Sequence, residues 1–413
     1  MSPSRRVLLR RRRLAVFSIL LVVLGGLGYV GATNLAPLPA SAANLVEPAA
    51  LTQPVATPIW PGFGESAIGA VGFPGVLASN GQQATVPIAS ITKMITALVI
   101  LDAKPLGAGE TGPDITFTDA DVDIYYGVIA ENGSAAPVVS GMVLTQREAF
   151  EAMLLPSANN YAESLAVWAY GSKDNYLAAA QAWLADNALT QTSIADTSGL
   201  SSSSVSTPAD LVEIGKLVVG HPALAEIVAL PSAILPVIGT VTNTNKLLGH
   251  DGVDGIKTGT TDVAGACLLF SSDFTVGTNT VTLVGVVLGG DTHSELNSAI
   301  SALIESVQPG FHDVVLAEEG AVFGSYTTEW GDVSDIVADR AASVLVWSDS
   351  PISSIVTADD VQLGRAGDAV GELSFTIGAG TTTTVTVPLE LQHTLADPGP
   401  AWRMGHPGEL AAG

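Results

Sequence analysis

The chain has 413 residues, 16 Lys plus Arg against 40 Asp plus Glu, and a formal net charge of −24. Six of the basic residues are arginines between positions 5 and 13 and the first acidic residue is Glu47, so the body behind them is strongly anionic, which argues against nucleic acid as a partner. At 47% hydrophobic and 14% charged, it is too apolar for a disordered acidic chain.

In chain order, residues 1–13 form an Arg-rich end expected to stay in the cytoplasm. Leu14 to Ala32 carries no charge and is long enough to cross roughly 30 Å of hydrocarbon, so residues 14–32 are expected to be a transmembrane or signal segment. The small-x-small site Ala40-Ser41-Ala42 leaves two alternatives, a retained anchor or a cleaved signal peptide. Both put the body outside the cytoplasm, on the membrane or secreted. Residues 33–61 are proline-rich and aperiodic and read as a linker.

Ser66 to Ser79 reads as a hairpin turning at Gly72-Phe73-Pro74-Gly75, and Ile88 to Ala103 as a buried helix. Thr145 with Glu148 is a capping box for a helix that ends near Pro156. Another helix runs from just after Ser157 to about Tyr170, and a further one opens at Thr207-Pro208-Ala209-Asp210. Strands follow between Gly255 and Leu288, then a helix from Ser294 to Ser306. Beyond Gly310 the short alternating segments Ser343 to Trp347, Glu372 to Ile377 and Thr384 to Leu389 have the texture of a small all-β domain, with Thr381 to Thr384 in or beside a strand. The expected organisation is an α/β (α+β) domain at 62–310, a β-rich domain at 311–397, and a tail at 398–413 broken by Pro398, Pro400 and Pro407.

The sole cysteine, Cys267, cannot form an intramolecular disulfide and reads as a small buried hydrophobe. Six histidines are scattered without metal-ligand spacing, so neither a metal nor another cofactor is expected.

Three short elements carry chemistry. Ser90-Ile91-Thr92-Lys93 sets a hydroxyl and an ammonium one helical turn apart on one face. Ser157-Ala158-Asn159 falls in the break between two helices, where polar side chains are expected to point out of the scaffold. Lys257-Thr258-Gly259-Thr260 lies on a strand, and Gly259 allows close approach by another backbone. Each alone is a common cap or turn; together they assemble a nucleophilic site. Ser90 needs a base to attack a carbonyl, and Lys93 can be that base if burial and a second cation, Lys257, keep it neutral. Asn159 can orient an amide and Ser157 can relay a proton. The backbone N–H groups of Ser90 and Thr260 can hold an oxyanion.

S-x-x-K, S-x-N and K-T-G in this order make the chain resemble a low-molecular-mass penicillin-binding protein, a serine-type D-alanyl-D-alanine carboxypeptidase. The resemblance extends through Leu154 to Asn159, Asp196-Thr197-Ser198-Gly199-Leu200 and Gly252 to Gly259, over roughly residues 62 to 310. It implies a β-lactamase/transpeptidase-like domain, an antiparallel sheet flanked by helices, followed by a small β domain. It also implies a peptidoglycan stem peptide ending in D-Ala-D-Ala as substrate and β-lactams as inhibitors. The implied roles are Ser90 as acylated nucleophile, Lys93 as base, Ser157 and Asn159 as the second motif, Lys257 and Thr258 toward the terminal carboxylate, and Thr260 in the oxyanion hole. One position departs from the pattern: Gly289-Gly290 is followed by Asp291 where many members soon place an arginine. That keeps a DD-endopeptidase as an alternative. A β-lactamase is disfavoured because no E-x-x-L-N segment lies between Asn159 and Lys257, and the intact Ser90, Lys93 and Lys257 disfavour a silent wall-binding protein.

Overall fold

The computed structural model describes residues 5–378 and 382–411; Thr381 and the outermost residues of the 1–13 and 398–413 segments lie outside the described residues. The chain forms two compact units, residues 54–312 and residues 1–53 with 313–413.

The first unit is built on a five-stranded antiparallel sheet. Its strand order is Val253–Thr261, Gly265–Val276, Asn279–Gly290, Glu65–Ala70 and Ala78–Asn80, so Val253–Thr261 is an edge. The expected hairpin is present, with Ser66 paired to Asn80. Its loop is pinned by Lys216, whose Nζ donates to the carbonyls of Phe73 and Gly75. Helix Pro208–Gly220 packs on the sheet, and Gly215 lets it approach Val284 and Leu269. Its N-terminus is as read: Thr207 caps it, accepting from Asp210 N, with proline in the first turn.

The buried helix forms as a 3₁₀ turn, Ala89–Ile91, running into the α-helix Thr92–Ala103. Ten of that helix's twelve residues are buried, which explains why its sequence is apolar nearly all round. Helices Gln146–Leu154 and Asn159–Tyr170 pack beside it, and the Thr145–Glu148 capping box is made on both sides. Pro156 and Ser157 stand in the break between those two helices, where Ser157 takes φ +63°.

The second unit carries a six-stranded antiparallel sheet in the order Asn44–Leu45, Val322–Thr327, Val333–Ala338, Thr383–Leu391, Ala369–Ile377 and Ile352–Ala358, over its own core of Phe323, Tyr326, Leu373, Phe375 and Val387. Here the structure departs from the sequence reading twice. Part of the 33–61 stretch is not a free linker: Asn44 and Leu45 pair with Ser325 and Gly324, Ser41 bridges to Val361, and Leu38 is buried. A two-residue strand is too short to show periodicity, and its partners lie some 280 residues away. The tail is also not broken by its prolines. They open two short helices, Gly399–Gly405 and Pro407–Leu410, because a proline in the first turn lacks an N–H that would have no helical acceptor anyway.

The apolar N-terminal segment is helical over Arg5–Leu35, longer than the expected 14–32. By length and composition Val7–Leu35 is apolar enough to cross a membrane, and its most apolar stretch is unburied while Thr33, near its end, is buried. Its end is fastened inside this unit, where Arg403 donates to the Ala36 carbonyl and pairs with Asp397, and the Tyr29 hydroxyl donates to the Met404 carbonyl. Such a cation suits the negative end of a helix.

In the first unit Phe150 is fully buried in the cluster that supports the Thr92–Ala103 helix. Phe150→Ala should lower the unfolding free energy by about 3–5 kcal/mol, read as a shifted denaturant midpoint with an unchanged slope.

Candidate active site

Lys93 is fully buried, in the first turn of its helix. Its Nζ lies 2.9 Å from Ser90 Oγ, 2.7 Å from Asn159 Oδ1 and 3.1 Å from the Ser198 carbonyl oxygen. Asn159 Oδ1 and the Ser198 carbonyl can only accept, so each takes an N–H. A neutral amine has two N–H bonds and one lone pair, and the lone pair is then left facing the Ser90 hydroxyl. Burial, followed by the charge of Lys257, pushes the Lys93 pKa well below its usual value, with Asp196 opposing. Burial alone brings Lys257 down to about 7.

Ser90 is not a helix cap, the N-cap positions here being Ile88 and Ile91; its hydroxyl meets Lys93 instead, so the chemical reading of S-x-x-K is the geometrically realised one. Ala89, just before it, has φ +46°, a conformation that costs an alanine energy and is held by its surroundings. Two glycines clamp this turn. A Cβ on Gly199 would fall 1.7 Å from the Ala89 carbonyl oxygen, and one on Gly259 would fall 2.9 Å from the Ile88 carbonyl and 3.3 Å from Ser90 N. The close approach expected at Gly259 is thus made by the serine's own turn.

Lys257, Thr258, Gly259 and Thr260 all lie in the edge strand Val253–Thr261. Lys257 Nζ donates to the Thr258 carbonyl at 3.0 Å, and the Thr258 hydroxyl meets that of Thr244 at 2.6 Å. Ser157 and Asn159 are each 6% exposed, contrary to the expectation that they point outward. The loop before them covers the site: Asn159 N donates to the Ser134 carbonyl, and Gly133 sits against Asn159 Nδ2. Ser157 Oγ is buried without a hydrogen-bond partner among the described residues, an arrangement suited to a hydroxyl reserved for a substrate. Cys267 is buried in the neighbouring strand and its thiol pKa is raised to about 11, as a structural cysteine's would be.

The structure therefore gathers Ser90, Lys93, Ser157, Asn159 and the Lys257–Thr260 strand from four separate elements. Sequence reasoning assigned no role to Asp196 or Ser198. Asp196 accepts from Gly199 N, Ser201 N and the Ser204 hydroxyl, which fixes the turn whose Ser198 carbonyl holds Lys93. Thr96 adds a bond to the Thr197 carbonyl. A backbone carbonyl leaves no side-chain signature; the Asp-Thr-Ser-Gly-Leu run was the available signal.

The sequence profile of the D-alanyl-D-alanine carboxypeptidase family S11 matches residues 74–292, more than half of the chain. The chain belongs to this family. As a D-alanyl-D-alanine carboxypeptidase family member it is 32% identical over 196 residues to a D-alanyl-D-alanine carboxypeptidase of Mycobacterium tuberculosis, covering 46% of this chain and 63% of that one. It is 30% identical over 217 residues to a D-alanyl-D-alanine endopeptidase of Pseudomonas aeruginosa, covering 51% and 66%. The chain thus spans a little under two thirds of the length of these curated relatives. Among solved structures, a peptidoglycan synthesis regulatory factor of Streptococcus pneumoniae superposes with a TM-score of 0.60 at 20% identity, covering 82% of this chain and all of that one. At that identity the likeness speaks for the fold, an α/β domain with an antiparallel sheet and a following β domain.

A methyl group on Gly259 must push the edge strand away from the Ser90 turn. Gly259→Ala should destabilise the first unit by about 1–3 kcal/mol, read as a lowered denaturant midpoint with an unchanged slope.

Proposed function

We propose that this protein is a serine D-alanyl-D-alanine carboxypeptidase that removes the terminal D-Ala from peptidoglycan stem peptides through a Ser90 acyl-enzyme and is inhibited by β-lactams. The observation that carries this reading is the three-partner environment of Lys93, which leaves a lone pair aimed at the Ser90 hydroxyl.

In this mechanism Lys93 takes the Ser90 proton as Oγ attacks the carbonyl of the penultimate D-Ala. The oxyanion is received by the backbone N–H groups of Ser90 and Thr260. Asn159 orients the substrate amide, and Ser157 relays the proton held on Lys93 to the departing D-Ala amine, so that the C–N bond breaks and Lys93 returns to its neutral form. Lys257 and Thr258 hold the terminal carboxylate. Water then releases the acyl group, with Lys93 again as base. The carboxylate that acts on Lys93, Asp196, is engaged by four donors, Gly199 N, Ser201 N and the Ser198 and Ser204 hydroxyls, which leaves it unsuited to activating a deacylating water and supports a penicillin target over a penicillin destroyer. The N-terminal helix serves as the membrane anchor with the catalytic unit outside. Endopeptidase cleavage of cross-links is the second reading, favoured by Asp291, whose exposed carboxylate follows the strand end where a free terminal carboxylate would bind.

The test mixes the protein with fluorescent penicillin and, separately, with a pentapeptide ending in D-Ala-D-Ala. Stable labelling with D-Ala release is expected, with Ser90→Ala inactive in both assays and Lys93→Met slowed roughly 10²–10⁴-fold. Rapid turnover of the penicillin would instead make the protein a β-lactamase, and no labelling would sink both.

The two lysines also set the pH profile. Lys93 must be neutral, so kcat/KM falls toward acid as it gains a proton. Lys257 must be charged, so kcat/KM falls as pH rises through about 7, its value in the free site. A bound carboxylate favours the charged form, so the alkaline limb of kcat should lie at higher pH than that of kcat/KM. A kcat/KM that stays flat to pH 9 would remove Lys257 from this role.

A further inference from the structure

Residues 54–312 contain one arginine, Arg147, and it is tied to Glu151 and Glu226. A guanidinium clamp for the substrate's carboxylate is therefore not on offer in the catalytic unit. The far end of the edge strand holds a different arrangement. Thr260 pairs with Ala266, and Ala266 with Gly290, so the three lie in one row across the sheet. From Gly290 the chain passes through Asp291 and Thr292 into helix His293–Val307, with Thr292 as N-cap accepting from Glu295 N. His293, the first helical residue, brings its Nε2 to 2.6 Å from Thr260 Oγ1.

A threonine hydroxyl has one proton to give and two lone pairs. If Nε2 accepted, the Thr260 proton would be used up and the oxygen would turn lone pairs toward the groove, repelling a carboxylate. If Nε2–H donates, the Thr260 O–H is free to donate outward. Two features select the second case. The ring is held below its ordinary pKa by burial and by the nearby charge of Lys257, so it is neutral at pH 7 and has a single N–H to place. Nδ1, the ring nitrogen nearer the backbone, lies at the start of a fifteen-residue helix, where orphan N–H groups and the positive helix end favour a lone pair over a proton. Thr258, the other hydroxyl assigned to that carboxylate, meets Thr244 and Lys257 before substrate arrives.

We propose that His293 holds Thr260 as a hydrogen-bond donor to the substrate's terminal carboxylate, so that Thr260 and His293 form a carboxylate subsite alongside Lys257. This rests on the acyl-enzyme reading above. His293 is a positioning residue, acting through Thr260 without touching the substrate. The subsite supplies a neutral donor where Asp291, two residues before His293, makes an additional cation absent and an additional anion present.

The test compares second-order acylation by benzylpenicillin, which carries a carboxylate, with that by its methyl ester, which does not. His293→Ala in the full-length protein should slow acylation by the acid roughly ten- to a hundredfold, the effect of one hydrogen bond to a charged group, and change the ester rate less than about twofold. His293→Gln, which can still donate to Thr260, should recover most of the acid rate. Thr260→Val should show the same acid-selective loss, and the double variant should lose no more than either single one. Equal losses for acid and ester, an additive double variant, or no recovery with Gln would overturn the subsite while leaving the acyl-enzyme standing. A wild-type protein that neither compound acylates would overturn the hydrolase reading and the subsite with it.

Discussion

The site depends on keeping one lysine amine dry and correctly partnered. Placing an ammonium in a packed interior costs several kcal/mol, and the cost falls when the group gives up its proton. Lys93 meets this constraint with two obligate acceptors, Asn159 Oδ1 and the Ser198 carbonyl, and a third neighbour, Ser90, that can reverse its hydrogen-bond role. Much of the catalytic unit serves those two acceptors. The helix that begins at Asn159 fixes one; the Asp196 turn, with Thr96 beneath it, fixes the other.

Strain sits on either side of the same amine. Ala89 and Ser157 both have positive φ without being glycine, and each adjoins a residue that bonds Lys93 or is itself a candidate for proton transfer. Such conformations persist only where packing over-determines them. Gly199 and Gly259 do this for Ala89, closing on the turn so tightly that any side chain would collide with backbone. The serine is thereby presented by a turn that cannot relax toward a regular helix start.

Much of the catalytic unit was legible from local patterns. The capping box at Thr145, the Thr207-Pro208 helix start, the hairpin around Gly72 and the apolar helix after Ile88 are formed by contacts within a few residues, so their signals sit in contiguous sequence. What local reading missed was long-range. The Asn44–Leu45 strand exists only because a partner some 280 residues on presents an edge to it. Ser157 and Asn159 look like exposed cap residues until the 133–134 loop folds over them. The contact between Thr260 and His293 joins two residues that neither motif nor spacing relates.

By itself, then, the sequence determined the chemical inventory. It supplies a serine with a lysine one turn away, a Ser-Ala-Asn break, a Lys-Thr-Gly strand, and an apolar arginine-flanked segment ahead of an acidic body. Residue type and short-range spacing are enough to specify these, because they depend on side-chain chemistry and helical or strand periodicity. Only the tertiary structure decided which form of Lys93 the site stabilises, which carbonyls hold it, and how Thr260 is presented. Those outcomes depend on burial and on the directions of a few hydrogen bonds, and both arise from residues brought together over distances at which the chain carries no local signal.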